Sequence, residues 1–278
     1  MILKSFSKIN LSLSVNKKLK NGLHDIQSYF CIINLFDQIK IEKNKGQKDI
    51  IKFTGKFAKY VDKKRNSISD TLSILREYKI ITGYYFIKIN KKIPVYAGLA
   101  GGTSNAACLI KHFIKKKYKK NLLNILSKRI GSDLRLFFYN QGFLRNLKKI
   151  SGFKTKYSLF FLLIYPNIKS STKHAYSQIK KYSPKLKNRF NKVDNKTKFT
   201  RFLMNTQNDL QSVLENKHPI IRKLIAEIEQ KKGCYFSRMT GSGSVCYGIF
   251  ENKKTATMAL KVIKSKYPKF WFSLAKTI

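Results

Sequence analysis

The chain is short of acid. Asp and Glu together number 14 against 58 Lys and Arg in 278 residues, a formal charge of +44. No carboxylate cage for a metal stands out among so few acids. Cysteine is sparse as well: Cys31, Cys108, Cys234 and Cys246 lie far apart with no C-x-x-C pair. Neither a zinc knuckle nor a disulfide framework is indicated, and reduced thiols in a cytoplasmic protein are the simplest expectation. The histidines (His24, His112, His174, His218) form no metal-like cluster. The longest strongly apolar run, residues 159–165, is too short to span a bilayer. Aromatic and basic residues do not interleave in the manner of RNA-binding motifs, and no internal repeat is visible.

The positive field attracts nucleic acid, anionic membranes and small phosphorylated molecules alike. Its lysines are scattered among Asn, Ile, Phe and Tyr along the whole chain instead of gathering in a tail. Such scatter fits a lysine-rich coding vocabulary, so neither a specific nucleic acid nor a membrane is expected as partner. No motif sets an oligomeric state.

What is present is a globular composition, 43% hydrophobic, with a length suited to two modest domains or one large one. The N-terminus is rich in Lys and Ser, as a transit peptide can be. Ile9, Leu11, Leu13 and Val15 nevertheless alternate with polar residues, which predicts a half-buried strand over residues 4–15, Lys8 and Asn10 sharing its more polar face. Asn21-Gly22 predicts a tight turn between strands. Residues 26–36 and 38–42 read as a second and third strand, residues 50–53 as a short one, and 67–78 as a helix capped by Asn66 or Ser67.

The most informative stretch follows a strand at 84–89. Pro94, Val95, Tyr96, Ala97, Gly98, Leu99, Ala100, Gly101, Gly102, Thr103 and Ser104 run into Ala106, Ile110, Phe113 and Ile114 at helical spacing. A glycine-rich turn that opens a helix offers unpaired N–H groups and the positive end of a dipole, which suits a phosphate. It is neither G-x-x-x-x-G-K-[ST] nor G-x-G-x-x-G. As plain structure it would be a turn capping an ordinary helix. On the sequence, Gly101 is the position where a valine should block a nucleotide and spare the fold.

Lysines at 115–120 read as a solvated helix end, and residues 122–128 as a helix. Asp133 then follows Gly131-Ser132 and precedes a wholly apolar-aromatic stretch. As plain structure it would be an N-cap; in so acid-poor a chain a carboxylate there points to a task. A boundary is placed near residues 149–156, giving domains at 1–152 and 153–278. Beyond it come a buried strand at 157–165, a helix after Ser170-Ser171-Thr172, a basic linker at 181–198, helices at 199–215 and 220–231, a strand at 234–237 and the turn Thr240-Gly241-Ser242-Gly243. A strand at 245–250, a helix at 253–266 and a strand at 270–274 complete the alternation.

The pattern P-x-x-x-G-L-x-G-G-[ST]-S-x-A-A resembles the ATP loop of the GHMP kinases, named for galacto-, homoserine, mevalonate and phosphomevalonate kinases. The opening Lys8-Ile9-Asn10 and the late Thr240-Gly241-Ser242-Gly243 turn resemble that family's other two landmarks, so the likeness runs over the whole chain. Asn21-Gly22-Leu23-His24, Gly131-Ser132-Asp133-Leu134, Ser171-Thr172 with Tyr176, and Asn208-Asp209 are similar to the branch that phosphorylates a cytidine-diphosphate-linked methylerythritol. A homoserine- or mevalonate-type kinase, or a basic nucleic-acid binder on a kinase-like fold, are the alternatives.

The resemblance implies an α+β, two-domain fold: an N-terminal domain like domain 2 of ribosomal protein S5 and a ferredoxin-like C-terminal domain. It implies Asp133 as general base, Lys8 beside it stabilising developing charge, and ATP cradled by residues 94–104. Asn10, His24, Thr172, Tyr176, Gly241, Ser242 and Gly243 would meet the substrate, and Mg²⁺ would be held largely by phosphates and water. Three departures stand out: Leu23 where the family has an aromatic residue, Ala100 where it has a loop glycine, and Arg135 where it has proline.

Overall fold

The alternation near the N-terminus does build a strand, though a shorter one than its pattern predicts. In the computed structural model, which describes residues 1–114, 120–186 and 195–278, β1 covers Ile2–Asn10 and β2 covers Ser14–Lys18, with an irregular step between them. Lys8 and Asn10 are not on a solvated face; both are buried. The predicted solvated lysines at 115–119 and the middle of the basic linker, 187–194, lie outside the described residues.

The chain makes two compact units whose segments interleave. The first takes residues 1–8, 35–95 and 100–139; the second takes 9–34, 96–99 and 140–278. In the first unit, the end of β3 (His24–Asn44) pairs antiparallel with β5 (Tyr84–Asn90), and β4 (Ile50–Thr54) lies parallel to β5. Helices α1 (Ser67–Glu77), α2 (Gly101–Ile114) and α3 (Lys120–Ile130) bury Leu72, Leu75, Leu109, Ile110 and Leu126. The Asn66 side chain accepts from Ile68 N and Ser69 N while Ser69 Oγ accepts from Asn66 N, a capping box that fixes where α1 begins. A 3-10 helix at Ser132–Phe138 follows α3.

In the second unit, β2 pairs with the start of β3 across a turn in which Gly22 has φ +79°, as Asn-Gly predicts. A hairpin of β6 (Gln141–Asn146) and β7 (Lys149–Gly152), with no counterpart in the sequence reading, adds to the same strand at Ser28–Cys31. The rest is a four-stranded antiparallel sheet in the order β11 (Trp271–Lys276), β8 (Phe160–Tyr165), β10 (Cys246–Phe250), β9 (Cys234–Met239). Helices α4 (Thr172–Ser177), α5 (Lys196–Met204), α6 (Gln211–Lys217) and α7 (Ile220–Glu229) connect β8 to β9, and α8 (Lys253–Lys266) connects β10 to β11. That is the ferredoxin-like order. Ile221, Leu224, Ile225 and Ile228 form the apolar stripe that α7 buries.

Two further elements differ from expectation. The second and third predicted strands are one, because Asp37, which reads as a break, is buried within β3 by partners described below. The helix predicted at 199–215 is two, α5 and α6. Asn208 interrupts it, its side-chain amide donating to Met239 O and Gly241 O at 2.8 Å each.

Candidate active site

In the first unit, β1 brings Lys8 to the 3-10 helix that carries Asp133, with Lys8 Nζ 3.2 Å from Asp133 Oδ2. Lys8 is 3% exposed and Asp133 32%, so the ammonium is desolvated while the carboxylate remains open to a reactant. Asp133 is not an N-cap: the cap position is Gly131, and no side chain bonds to the helix start there. Ser104 Oγ donates to Phe6 O at 2.5 Å, which ties the first turn of α2 to β1 two residues before Lys8. Thr103 Oγ1 lies 3.7 Å from the place a Cβ would take on Gly131. Lys8, Asp133, Thr103 and Ser104 are therefore brought together in this unit. The Arg135 that stands in place of proline links the 3-10 helix to α3, with Nε donating to Ser127 Oγ at 3.3 Å and Nη2 to Asn124 Oδ1.

The glycines of the loop have different reasons to be glycine. Gly98 has φ +81°, and a Cβ there would sit 2.2 Å from Thr240 O. At Gly101 a Cβ would meet Ile93 Cγ2 at 2.9 Å, so valine at 101 forces a shift of the buried Ile93, a cost to the core that the sequence does not suggest. Gly102 is exposed, and among the described residues outside its own helix backbone a Cβ there meets only Ser67 Oγ, at 3.4 Å. Space inside the protein does not demand glycine at 102; a ligand drawn close to its backbone would.

Ala100 sits at φ +53°, in the left-handed region where a Cβ is strained. Ala100→Gly is expected to raise stability by about 1 kcal/mol, since the relief of strain outweighs the added freedom of the unfolded chain. Denaturant unfolding of both proteins measures it, and an unchanged or lowered midpoint contradicts the strain.

In the second unit the late turn is held from several sides. Asn10 N donates to Thr240 Oγ1 at 3.0 Å, Ser170 Oγ to Ser242 O at 2.6 Å, and Gly243 N to Thr240 O at 3.0 Å. Thr172 Oγ1 and Ser242 Oγ are 2.9 Å apart, and Ser171 caps α4 through His174 N. The Asn10 side chain is bonded to Ser28 Oγ at 2.8 Å. One turn along α4 from Thr172, Tyr176 stacks on His24 with ring centroids 5.0 Å apart and planes 25° from parallel. Burial, and next the charge of Lys18, hold the His24 imidazole below the usual histidine range. Leu23 is exposed beside it.

Sequence reasoning missed three residues here. Tyr182, exposed, has its ring centroid 6.3 Å from that of His24; its only sequence signal is an aromatic in a basic stretch. Lys91 and Asp37 form a fully buried ion pair in the first unit, 2% and 0% exposed. Burial presses the Lys91 ammonium below the ordinary lysine range, and Asp37 opposes that shift. Neither residue belongs to a motif, and they are far apart in sequence.

For Mg²⁺, no group of three or more His, Cys, Asp or Glu side chains that could hold a metal occurs among the described residues. One partly exposed carboxylate, Asp133, with neighbouring hydroxyls fits an ion bound mainly through phosphates and water, and does not fit an all-protein cage. No helix among the described residues is long and apolar enough to cross a membrane.

Known proteins resemble this chain in both sequence and fold. Residues 198–269 match the family described as GHMP kinases C terminal. The 4-diphosphocytidyl-2-C-methyl-D-erythritol kinase of Pelagibacter ubique is 37% identical over 99% of this chain and 98% of its own length. That of Anaplasma marginale is 28% identical over 95% and 93%. A crystal structure of 4-(cytidine 5'-diphospho)-2C-methyl-D-erythritol kinase superposes with a TM-score of 0.76 at 20% identity, covering 99% of each chain. The fold is that of a small-molecule kinase of the GHMP class. Within that class, the chain belongs to the 4-diphosphocytidyl-2-C-methyl-D-erythritol kinase family.

Proposed function

We propose that this protein transfers the γ-phosphoryl group of ATP to the 2-hydroxyl of 4-diphosphocytidyl-2-C-methyl-D-erythritol, a step in making isoprenoid precursors. The observation that carries the chemistry is the Lys8–Asp133 pair, 3.2 Å apart with the lysine buried and the aspartate free of any capping duty. Asp133 accepts the proton of the acceptor hydroxyl as its oxygen bonds to the γ-phosphorus and ADP leaves. Lys8 orients the carboxylate and offsets the charge that develops on the transferring group. Mg²⁺, when bound, neutralises phosphate charge.

In this reading residues 1–152 form the ATP-binding domain, with the backbone of residues 94–104 cradling the nucleotide, and 153–278 form the C-terminal domain. His24 reads the cytosine and Tyr176 stacks by it. Tyr182 supplies an aromatic face that Leu23 does not. Asn10, Thr172 and the Gly241-Ser242-Gly243 turn hold the rest of the substrate, Asn10 through the backbone it fixes. We place the reaction in the cytoplasm.

A coupled ADP-release assay tests the reading, with the diphosphocytidyl substrate run beside homoserine, mevalonate and galactose. Turnover on the diphosphocytidyl compound alone is expected. Preference for any of the other three defeats the substrate assignment.

A further inference from the structure

We propose that the buried Lys91–Asp37 pair is a positioning device for the nucleotide loop, one that serves the phosphoryl donor and not the acceptor alcohol. It rests on the kinase reading above. Asp37 is saturated: Oδ1 accepts from Lys92 N at 2.7 Å and Ile93 N at 2.9 Å, while Oδ2 accepts from Asn105 Nδ2 at 3.0 Å and from Lys91 Nζ. Lys91 Nζ also donates to Asn105 Oδ1 at 2.9 Å. From Asn105 the network continues to β1, Nδ2 donating to Ser5 Oγ at 2.9 Å, with Ser5 Oγ 2.7 Å from Ser104 Oγ and Ser104 Oγ bonded in turn to Phe6 O.

Stability alone does not account for this pair. Taking two charges out of water costs more than their attraction commonly returns, and well-packed apolar residues usually serve as well or better. The lysine is also at the unfavourable end of a helix. Its Nζ lies 3.5 Å from the place a Cβ would take on Gly101, beneath the first turn of α2, where the dipole repels a cation. A phosphate at that helix start reverses the balance, because its charge favours the buried ammonium.

What the pair does, and an apolar pair would not, is fix three pieces of backbone at once. These are the approach to the loop at 92–93, the N-terminal part of α2 through Asn105, and β1 just ahead of Lys8. Loop amides aimed at phosphate oxygens need such pre-organisation. His24 and Tyr176, the proposed acceptor contacts, belong to the second unit and the network to the first, so the acceptor's KM is an internal control.

The test is the double variant Lys91→Met with Asp37→Asn. It preserves volume, leaves no unpaired buried charge, and keeps a side-chain oxygen for the amides of Lys92 and Ile93. Titration calorimetry with a non-hydrolysable ATP analogue and steady-state kinetics are read together. The Kd of the analogue and the KM for ATP are expected to rise by roughly tenfold to a hundredfold. The KM for the acceptor should stay within about twofold, as remote substrate contacts are untouched. Wild-type Kd and KM for ATP in a folded double variant overturn the proposal. So does an equal rise in both KM values.

If the double variant does not fold, Asn105→Ala cuts the link from the pair to α2 and β1 while leaving the pair in place. It should shift the ATP values in the same direction, and unchanged ATP values there are equally fatal. A wild-type chain that binds the analogue but does not phosphorylate the acceptor would refute the substrate reading and leave this inference to be decided by the Kd.

Discussion

Asp133→Asn is expected to lower turnover by on the order of a hundredfold or more while leaving the thermal midpoint close to wild type. The amide has the shape of the carboxylate and can still accept a hydrogen bond from Lys8, 3.2 Å away, but it cannot take the acceptor's proton. The fold gives Asp133 no other duty, since it neither caps the 3-10 helix nor lies in the core. Lys8→Met should likewise spare the fold. From the sequence this followed from a polar strand face; in the structure Lys8 is buried, and a methionine of similar length fills its space while the partly exposed Asp133 remains hydrated. If the two groups act as one unit, the double variant is little worse than the poorer single variant. An Asp133→Asn protein with near-normal turnover on the diphosphocytidyl substrate defeats the assignment.

Gly102→Val is expected to weaken binding of an ATP analogue by roughly ten- to a hundredfold. That is the loss that follows when a charge-assisted hydrogen bond worth ~1.5–3 kcal/mol can no longer form. Valine at 98 or 101 is a poorer experiment, because each would collide with the protein itself, at Thr240 O or at Ile93. At 102 the only near neighbour among the described residues, outside the helix's own backbone, is Ser67 Oγ, at an ordinary 3.4 Å, so a folded protein with lost affinity reports the ligand's approach. Circular dichroism and thermal melting establish the fold, and calorimetry the affinity. Undiminished affinity would remove the phosphates from this loop.

Local signals were legible because they act over a few residues. Asn66 capping α1, the Asn21-Gly22 turn and the glycine-rich start of α2 each follow from a backbone preference that neighbours in sequence satisfy. Where a strand or helix is decided by distant partners, the sequence misled. Asp37 looks like a strand breaker until Lys91, Lys92, Ile93 and Asn105 come to its carboxylate, and Asn208 looks helical until Met239 O and Gly241 O claim its amide. A buried polar group is tolerable only when its partners are supplied, and those partners are far along the chain.

By itself, then, the sequence determined most elements in their order, though not the β6–β7 hairpin, together with the glycine-rich loop and the residues of its three motifs, since composition, spacing and turn chemistry are written residue by residue. Tertiary structure alone decided that Lys8 is buried against Asp133, that segments interleave into two units, that Tyr182 stands near His24, and that a saturated ion pair lies beneath α2. Each of these depends on which long-range contacts exclude water, and exclusion of water is a property of packing that no window of sequence contains.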